Sequence, residues 1–380
     1  MRVNLVKYEF LGWDFFMAKN STSLVDQIAA VLEERLRCGF YPENKALPGS
    51  RSIAEEFGCS FQTADRAILK LVDARLLERR RGSGTYPLSR KRRIALLPPG
   101  SGQPQQPNFT IQHHEMIQGI YCRAALGAIQ KYNCTFEELT FSQLTNRNFS
   151  PQLLRNADGV LAHTTFSDSN TLDLLTQSGI PVVYFGPGTP SWPISSVSAD
   201  WQAGMREMFK CYADKKRQFI IFDTPGQHNT PGNVYYELLQ AAEACGVAPE
   251  QIQYSQLALK SGQTAELEGY KLGMKIDLQP NTVFITTSDL LGFGFYDALR
   301  DRGLQPGEFE LISCDNLESR GVEAYEKPQL TSIDHPKEEI TYQAVDLLFD
   351  LIKNPTGNRL CITVPTKLIR RSSGLVNHKE

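Results

Sequence analysis

This sequence of 380 residues has little of what a secreted, membrane-bound or metal-binding protein needs. Its eight cysteines include no C-x-x-C pair, so neither a zinc ribbon nor a disulfide framework is indicated. Its six histidines show no metal-ligand spacing beyond the adjacent His113-His114. Lys7, Glu9 and Asp14 interrupt the apolar stretch from Val3 to Met17, and no later run is long enough to span a membrane. We therefore expect a cytoplasmic protein with no membrane contact, no metal and no cofactor.

The motifs of common enzyme classes are also missing. Gly82-Ser83-Gly84 and Gly100-Ser101-Gly102 lack the Lys-Ser or Lys-Thr pair that completes a phosphate-binding loop. The chain contains no G-x-S-x-G nucleophile elbow and no H-E-x-x-H metal-binding helix. The sequence therefore gives no positive sign of an enzyme.

What the sequence does contain is a division of charge that its net value of −2 conceals. Residues 19–93 carry 15 Lys and Arg against 9 Asp and Glu, whereas residues 94–380 carry 23 against 31. The chain is also too long for one ordinary domain, so a small basic domain and a larger acidic one are indicated. We expect an N-terminal extension that is disordered or precedes the true start near Met17 (1–18), a DNA-binding domain (19–88), a basic linker (89–93) and a sensor domain (94–376).

The basic domain has the pattern of a helix-turn-helix followed by a β-hairpin. Apolar residues at helical spacing predict helices over residues 23–38, 51–57 and 61–74. Two short alternating segments around Arg81-Gly82-Ser83 predict the hairpin, which would form a wing. The second helix of a helix-turn-helix offers its first turn to the major groove. The residues in that position are Ser60, Phe61, Gln62, Thr63 and Arg66.

Residues 23–87 also match a known pattern without gaps, at Leu47-Pro48, Ser50-Arg51, Ala54-Glu55, Gly58, Ser60, Thr63, Ala67, Leu71, Leu76-Leu77 and Arg80 through Thr85. On these residues the segment resembles the GntR-type winged-helix domain. The resemblance implies DNA contacts from the cap, the recognition helix and the wing, namely Arg51, Ser60, Gln62, Thr63, Arg66, Arg80, Arg81 and Gly82. Phe61 and Asp65 stand where the family most often has arginine, so phosphate contacts are in doubt at both positions. Because Asp65 would repel a phosphate, we expect it to turn toward Arg66 or a neighbour.

One such domain offers few base contacts, so useful specificity requires a dimer on a two-fold symmetric, double-stranded operator. Gln62 suits adenine, and Arg51 or Arg66 suits guanine. The larger domain must supply the dimer.

The larger domain alternates short apolar runs with helical patterns. The predicted buried strands are Ile94–Leu97, Gly159–Ala162, Val182–Phe185, Phe219–Phe222, Val283–Thr286 and Glu310–Ser313. A helix over Glu115–Lys131 lies between the first two. Strands separated by helices form parallel βαβ units, and this number indicates two doubly wound lobes. The predicted fold class is α/β, with an N-terminal winged helix-turn-helix and a two-lobed sensor that binds its ligand between the lobes.

Six strings in this domain carry a second resemblance. They are Ala157 to Leu161, Gly179 to Val183, Ser196 to Asp200 with Ala203-Gly204, Ser288 to Gly294, Ala298 to Gly303, and Leu330 to Pro336. In this order and spacing they resemble the sensor of the LacI/galactose-repressor family, which has a type I periplasmic-binding-protein-like fold. A GntR-type domain on such a sensor is the arrangement of the arabinose-type repressors. The resemblance implies a homodimeric repressor whose operator affinity responds to a sugar or sugar derivative, with the sign of that response open.

Ligands of open α/β sheets bind beyond the carboxyl ends of the strands. The carboxylates, imidazoles and aromatic ring expected there are Asp223, Asp289, Asp315, His163, His335 and Phe166. By the resemblance, Asp289 corresponds to the family's sugar-contacting aspartate, and its other possible role is the N-cap of a helix over Leu290–Arg300. The two histidines could equally be buried side chains with protein partners. The family's sugar-binding arginine falls near Asn233-Val234, so that contact is missing or comes from elsewhere.

The competing interpretation is a winged-helix regulator fused to a catalytic α/β domain. GntR-type domains also precede aminotransferase-like bodies that use pyridoxal phosphate. None of the six sensor strings belongs to that fold, and no catalytic motif accompanies them, so the sensor interpretation is favoured.

Overall fold

The computed structural model describes residues 23–37, 40–42, 45–88, 91–98, 111–132, 134–140, 143, 154, 157–164, 169–188, 194–212, 217–223, 233–257, 263–321, 329–354 and 358–374. The chain divides into two compact units, with the boundary after Arg90. The predicted extension at 1–18 and the predicted ligand contact Phe166 lie outside the described residues.

The first unit contains three helices and a hairpin. The helices are α1 (Leu24–Arg37), α2 (Ser50–Glu56) and α3 (Phe61–Asp73), and the strands are β1 (Leu77–Arg80) and β2 (Gly84–Pro87). The two strands are antiparallel, with Arg80 opposite Gly84. Each helix boundary agrees with the sequence expectation to within about one residue, because caps and periodicity are local signals.

A small core holds this unit together. Ile28 and Leu32 of α1 pack with Ile53 of α2 and Ile68 of α3, and all four side chains are buried. Gly58 has a φ of 61° in the turn between α2 and α3, a conformation that glycine adopts without strain. The core therefore fixes α3 against α1 and α2 and leaves one face of α3 outward.

The second unit alternates strands and helices along the chain. In chain order its elements are β3 (Arg92–Leu97), α4 (Ile111–Ile129), β4 (Cys134–Glu138), β5 (Gly159–His163), α5 (Ser169–Gln177), β6 (Val182–Gly186), β7 (Ser195–Asp200), α6 (Trp201–Lys210), β8 (Gln218–Asp223), α7 (Val234–Ala244), β9 (Ile252–Gln256), α8 (Ala265–Lys275), β10 (Thr282–Thr286), α9 (Asp289–Asp301), β11 (Glu310–Cys314), β12 (Thr331–Asp334), α10 (Lys337–Lys353), β13 (Cys361–Pro365) and β14 (Lys367–Ile369).

These strands form two six-stranded sheets, one in each lobe. The order in lobe 1 is β13-β7-β6-β5-β3-β4, and in lobe 2 it is β14-β12-β11-β10-β8-β9. Neighbouring strands are parallel except for β12 and β14, which are antiparallel. The fold is therefore the two-lobed, doubly wound arrangement that the sequence predicted.

The chain passes between the two sheets three times, from β7 to α6, from β12 to α10 and from β13 to β14. The three crossings meet around Thr366. Its hydroxyl donates to the Asp200 carbonyl at 2.8 Å and accepts from the Gly204 amide at 3.0 Å. A side chain at Gly204 would come within 2.9 Å of both Ile333 and Thr366, so this position needs glycine. These contacts make the crossings a compact hinge between the lobes.

Two boundaries differ from the sequence expectation. Strand β3 begins at Arg92, so Arg92 and Arg93 of the predicted linker at 89–93 belong to the sheet, where the Arg93 amide donates to Asp158 at 2.8 Å. The helix predicted from Glu115 begins earlier, at Ile111. Within the described segments, no helix is both long and apolar enough to cross a membrane.

Candidate functional site

The first turn of α3 presents a mixed polar and apolar surface. The Ser60 hydroxyl caps the helix by accepting from the Thr63 amide at 3.1 Å, and the two hydroxyls of this pair lie 2.8 Å apart. Phe61, Gln62 and Arg66 point outward, and the side chain of Phe61 is 51% exposed. Ser60 and Thr63 therefore shape the helix start, and the other three side chains are available for contact.

Three of the four exposed arginines predicted to contact DNA lie one on each element of the motif. Arg51 lies on α2, Arg66 on α3 and Arg81 at the tip of the wing. Among the described residues, none of the three has a carboxylate partner. We call these arginines together with Phe61 and Gln62 the DNA face. Its cations can exchange water and counterions for phosphate or base edges.

The other two residues of the wing that were predicted to contact DNA, Arg80 and Gly82, stabilise the hairpin itself. The Arg80 guanidinium lies 4.4 Å from the centre of the Tyr86 ring, and its Nε donates to Glu78 at 3.0 Å. Gly82 has a φ of 74°, which the turn between β1 and β2 requires. All three residues are exposed, but Arg80 is engaged with Tyr86 and Glu78 and Gly82 forms the turn, whereas Arg81 has no ion pair among the described residues.

The carboxylate of Asp65 does not pair with the adjacent Arg66 but with residues from other elements of the unit. Its carboxylate accepts from the Ser50 hydroxyl at 2.8 Å and pairs with Arg79 at 2.6 Å. The Ser50 hydrogen bond and then the Arg79 ion pair lower the pKa of Asp65. Asp65 therefore ties α3 to the start of α2 and to the first strand of the wing.

The carboxyl ends of the lobe 2 strands bring four aspartates to one edge of the sheet. Asp223 ends β8, Asp289 follows β10, Asp315 follows β11 and Asp334 ends β12. We call these four residues the acidic edge. Three of them are the predicted ligand contacts of lobe 2, so topology places the carboxylates together as expected.

Asp223 is buried at the side of this edge that borders two tyrosines. Its carboxylate accepts from the Thr287 hydroxyl at 2.5 Å and from the Tyr254 hydroxyl at 3.2 Å. Burial and the Asp223 charge raise the pKa of Tyr254, so the phenol keeps its proton. The Tyr254 ring stacks on Tyr235 with centroids 3.9 Å apart. Asn233, near which the resemblance placed the family's sugar-binding arginine, caps α7 by accepting from the Tyr235 amide.

Asp289 is fully buried and is the first residue of α9, whereas Ser288 is the N-cap. The alternative role considered for Asp289, the N-cap of this helix, therefore falls to Ser288. The Asp289 carboxylate accepts from the Leu317 amide at 2.6 Å and from the Ser332 hydroxyl at 2.8 Å, which ties the start of α9 to the segment after β11 and to strand β12. Burial, and then the charge of Asp315, raise its pKa to about 7.

The Ser288 hydroxyl next to it is buried and has no hydrogen-bond partner among the described residues. It is an open polar group on the acidic edge.

The remaining two aspartates of the acidic edge are each paired with a cation, one buried and one partly buried. Lys337 Nζ lies 3.0 Å from the Asp315 carboxylate, and the lysine side chain is only 1% exposed. Asp315 has a φ of 114°, a strained value for a residue other than glycine. Arg320 pairs with Asp334 at 3.0 Å and with Glu338 at 2.7 Å.

The two histidines belong to an aromatic cluster that joins the lobes. His335 Nε2 lies 3.2 Å from the Tyr121 hydroxyl, and the Tyr121 ring packs edge-on against His163 at 4.8 Å. Trp201, the first residue of α6, packs on His335 at 5.2 Å. Burial, and then the nearby Lys337, hold the pKa of His335 well below its usual value, so this imidazole is neutral.

Sequence reasoning missed the groups that hold the predicted residues in place. Lys337, Arg320 and Tyr254 had no local signal, because each meets its aspartate only through the packing of distant segments. For Ser288 a signal was present in the sequence, since this residue comes two positions after the end of the predicted strand Val283–Thr286.

Two family descriptions match this chain. Residues 24–86 match the gntR family of bacterial regulatory proteins, and residues 199–374 match a periplasmic binding protein-like domain. The chain thus carries a gntR-type DNA-binding domain followed by a sensor-type domain.

Among curated proteins, it is 34% identical to the ribose operon repressor of Haemophilus influenzae over 28% of this chain and 33% of that protein. It is 26% identical to the transcriptional regulator CelR of Thermobifida fusca over 58% of this chain and 64% of that protein. It is 23% identical to catabolite control protein A of Priestia megaterium over 69% of this chain and 78% of that protein. The chain therefore spans less than two thirds of the first two of these relatives.

Solved structures show the same fold. A LacI family transcriptional regulator from Enterococcus faecium with bound ribose aligns with a TM-score of 0.56 at 20% identity, over 74% of this chain and 98% of that chain. A complex of the transcriptional regulator CelR with cellobiose aligns with a TM-score of 0.56 at 20% identity, over 93% of this chain and all of that chain.

Proposed function

We propose that this chain, which joins a gntR-type DNA-binding domain to a periplasmic-binding-protein-like sensor, is a homodimeric transcriptional repressor whose operator affinity is controlled by a small neutral carbohydrate. The observation that carries the proposal is the presence in one chain of the DNA face and of a two-lobed unit with the acidic edge at its ligand-binding side. Of the proteins similar to it, one is named a ribose operon repressor, one is a transcriptional regulator in complex with cellobiose, and one is a LacI family transcriptional regulator with bound ribose.

The charges of the acidic edge favour an uncharged ligand. Three of the described cations beside this edge are held by carboxylates: Lys337 by Asp315, Arg320 by Asp334 and Glu338, and Arg371 by Glu318 at 3.4 Å. A phosphate or carboxylate on the ligand would have to displace one of these partners. Hydroxyl groups instead suit carboxylate acceptors, and the Tyr235–Tyr254 stack suits the apolar face of a sugar ring.

The hinge explains how ligand binding in the sensor could affect the DNA-binding domain. Ligand that bridges the two sheets favours the closed lobes, and closing turns one lobe about the crossings at Asp200, His335 and Thr366. In a homodimer this motion changes the spacing of the paired DNA-binding domains, and with it the affinity for a two-fold operator. The buried cluster of Tyr121, His163 and His335 joins the two lobes, so this motion would change the contacts within the cluster.

Binding of the full chain to double-stranded DNA tests the proposal. Sites selected from a random pool should show two-fold symmetry, and affinity for them should fall steeply as salt rises. Neutral pentoses, hexoses and disaccharides are then added, beside the corresponding phosphates and uronic acids. A matching neutral sugar at about 100 times its dissociation constant should stabilise the protein by roughly 2.7 kcal/mol and change operator affinity. DNA binding that ignores salt and sequence would contradict the regulator, and a response to the phosphates alone would contradict the neutral ligand.

The catalytic alternative gains no support from the sensor unit. Residues 199–374 match a periplasmic binding protein-like domain, and the fold neighbours of this unit are regulators. An aminotransferase-like body would have placed a different fold after the winged helix.

A further inference from the structure

We propose that Phe61 reads a thymine, by placing its ring against the C5-methyl group in the major groove. This inference rests on the proposed DNA binding and adds a sequence preference to it. Phe61 is the first residue of α3, directly after the Ser60 cap. It shares the exposed first turn of the helix with Gln62 and Arg66.

The position of Phe61 is not explained by the packing of its own unit. The core of this unit is built from inward residues of α3, including Ala64, Ala67 and Ile68, which are each at most 1% exposed. Phe61 is 51% exposed and makes no ring contact with another aromatic side chain among the described residues. Leaving an aromatic ring in water forgoes the free energy of burying it, so the ring gains stability when a partner covers it.

The neighbourhood identifies that partner as the base edges of DNA. A phenyl ring has no hydrogen-bond donor and so cannot hold a phosphate, which the arginine common at this position could do. The apolar group that the major groove offers is the thymine methyl, and phenylalanine is one of the side chains that contact it. Thr63 also carries a methyl group, but it is only partly exposed and its hydroxyl is held in the cap. Phe61 is therefore the best placed apolar side chain on the DNA face.

Replacing thymine by uracil tests this contact, because the change removes only the methyl group and keeps base pairing. The parent chain selects a site from random double-stranded DNA, and that site is then made with uracil at each thymine in turn. Each half-site should contain one thymine at which the change matters. Replacing that thymine in a single half-site should weaken parent binding about fourfold, the factor for burying one methyl group. Changing that thymine in both half-sites of a dimer should weaken binding about fifteenfold.

Variants of α3 assign the effect to the ring. Phe61→Ala should bind the thymine and uracil sites equally, and Phe61→Leu should retain part of the difference. Leu69→Ala is the matched control, since Leu69 is also an exposed apolar residue of α3, and it should keep the full difference. Circular dichroism of each variant should match the parent because these side chains are exposed.

Three results would overturn the inference. Parent binding that is indifferent to uracil at every thymine would show that no methyl group is read. A uracil effect that persists in Phe61→Ala would show that another residue reads it. If the parent selects no sequence at all, the proposed operator binding itself fails and this inference falls with it, so the two failures are distinguishable.

Discussion

The cations of the DNA face are exposed and lack carboxylate partners among the described residues, whereas Lys337, Arg320 and Arg371 beside the acidic edge are mostly buried and each has one. The difference follows from what each surface would bind. A surface for a polyanion gains affinity from every cation that replaces a counterion, so its arginines must stay unpaired. A cleft for an uncharged ligand must satisfy its own charges internally, because the ligand cannot.

Among the variants that test this contrast, removal of one buried cation should change stability most. Lys337→Met leaves the Asp315 carboxylate without its partner in a buried setting, and loss of one member of a buried pair costs about 3–5 kcal/mol. We expect the free energy of unfolding of the sensor to fall by that amount in urea titration. Lys131→Met is the control, because the Lys131–Asp346 pair is 62% and 48% exposed and should contribute less than about 1 kcal/mol. Equal losses in the two variants would show that burial of the Lys337–Asp315 pair does not raise the cost of removing its cation.

The second largest effect should be the contribution of Asp289 to the pH dependence of the sensor's free energy of unfolding. Its pKa is about 7 in the folded chain and about 4 in an unfolded one, so protonation favours the folded state. Its contribution is fully present below pH 4 and is lost as pH rises through 7, an effect of the order of 4 kcal/mol at most. Unfolding titrations from pH 4 to 8 should therefore show stability falling across this window.

Asp289→Asn is the variant that isolates this effect. It should change stability little at pH 5, since asparagine, like the protonated acid, offers one carbonyl oxygen to the Leu317 amide and a donor to the Ser332 hydroxyl. It should also flatten the pH dependence relative to the parent. A variant with the parent's slope would assign the titration to another group.

The sequence predicted best what local signals determine. Caps and periodicity located α1 to α3 closely, and strand ends located Asp223, Asp289 and Asp315 through the rule for parallel sheets. The edge strands β4 and β9 were missed because their side chains alternate between partial and full exposure and form no apolar run. Strand β7 was missed as a buried strand because three of its six residues are serines, which interrupt the apolar run although all three are buried.

The partners of the site residues could not be predicted in the same way. Leu317 reaches Asp289 from 28 residues away, and Lys337 reaches Asp315 from 22 residues away. Such pairings depend on how α9, α10 and the strands pack, which no local pattern encodes. The same holds for Asp65, whose partner Arg79 comes from the wing, 14 residues later.

The DNA face should respond to single arginine substitutions by an intermediate amount. Arg66→Ala should weaken operator binding by roughly 1–3 kcal/mol and relax the base preference at one position, if Arg66 contacts a base. If it contacts a phosphate, binding should weaken uniformly and the dependence on salt should lose about one unit of slope. Binding isotherms on selected and scrambled DNA at several salt concentrations separate the two roles. Arg79→Ala is the control, because Arg79 is held by Asp65 and should change the salt slope little.

The smallest expected effect is at Asp65, the carboxylate that lies among the basic residues of the DNA-binding unit. Asp65→Asn weakens the tie to Arg79, a partly exposed pair, so the unit should lose less than about 1 kcal/mol of stability. Because the folded pKa of Asp65 is lowered, its contribution is present above about pH 4 and is lost as pH falls below it, and the variant should lack that loss. Asp73→Asn removes the same charge from an exposed position of α3 and should leave both quantities unchanged. If instead both variants strengthen DNA binding equally and neither alters stability, Asp65 acts only through its charge, and the wing is positioned by the core of the unit.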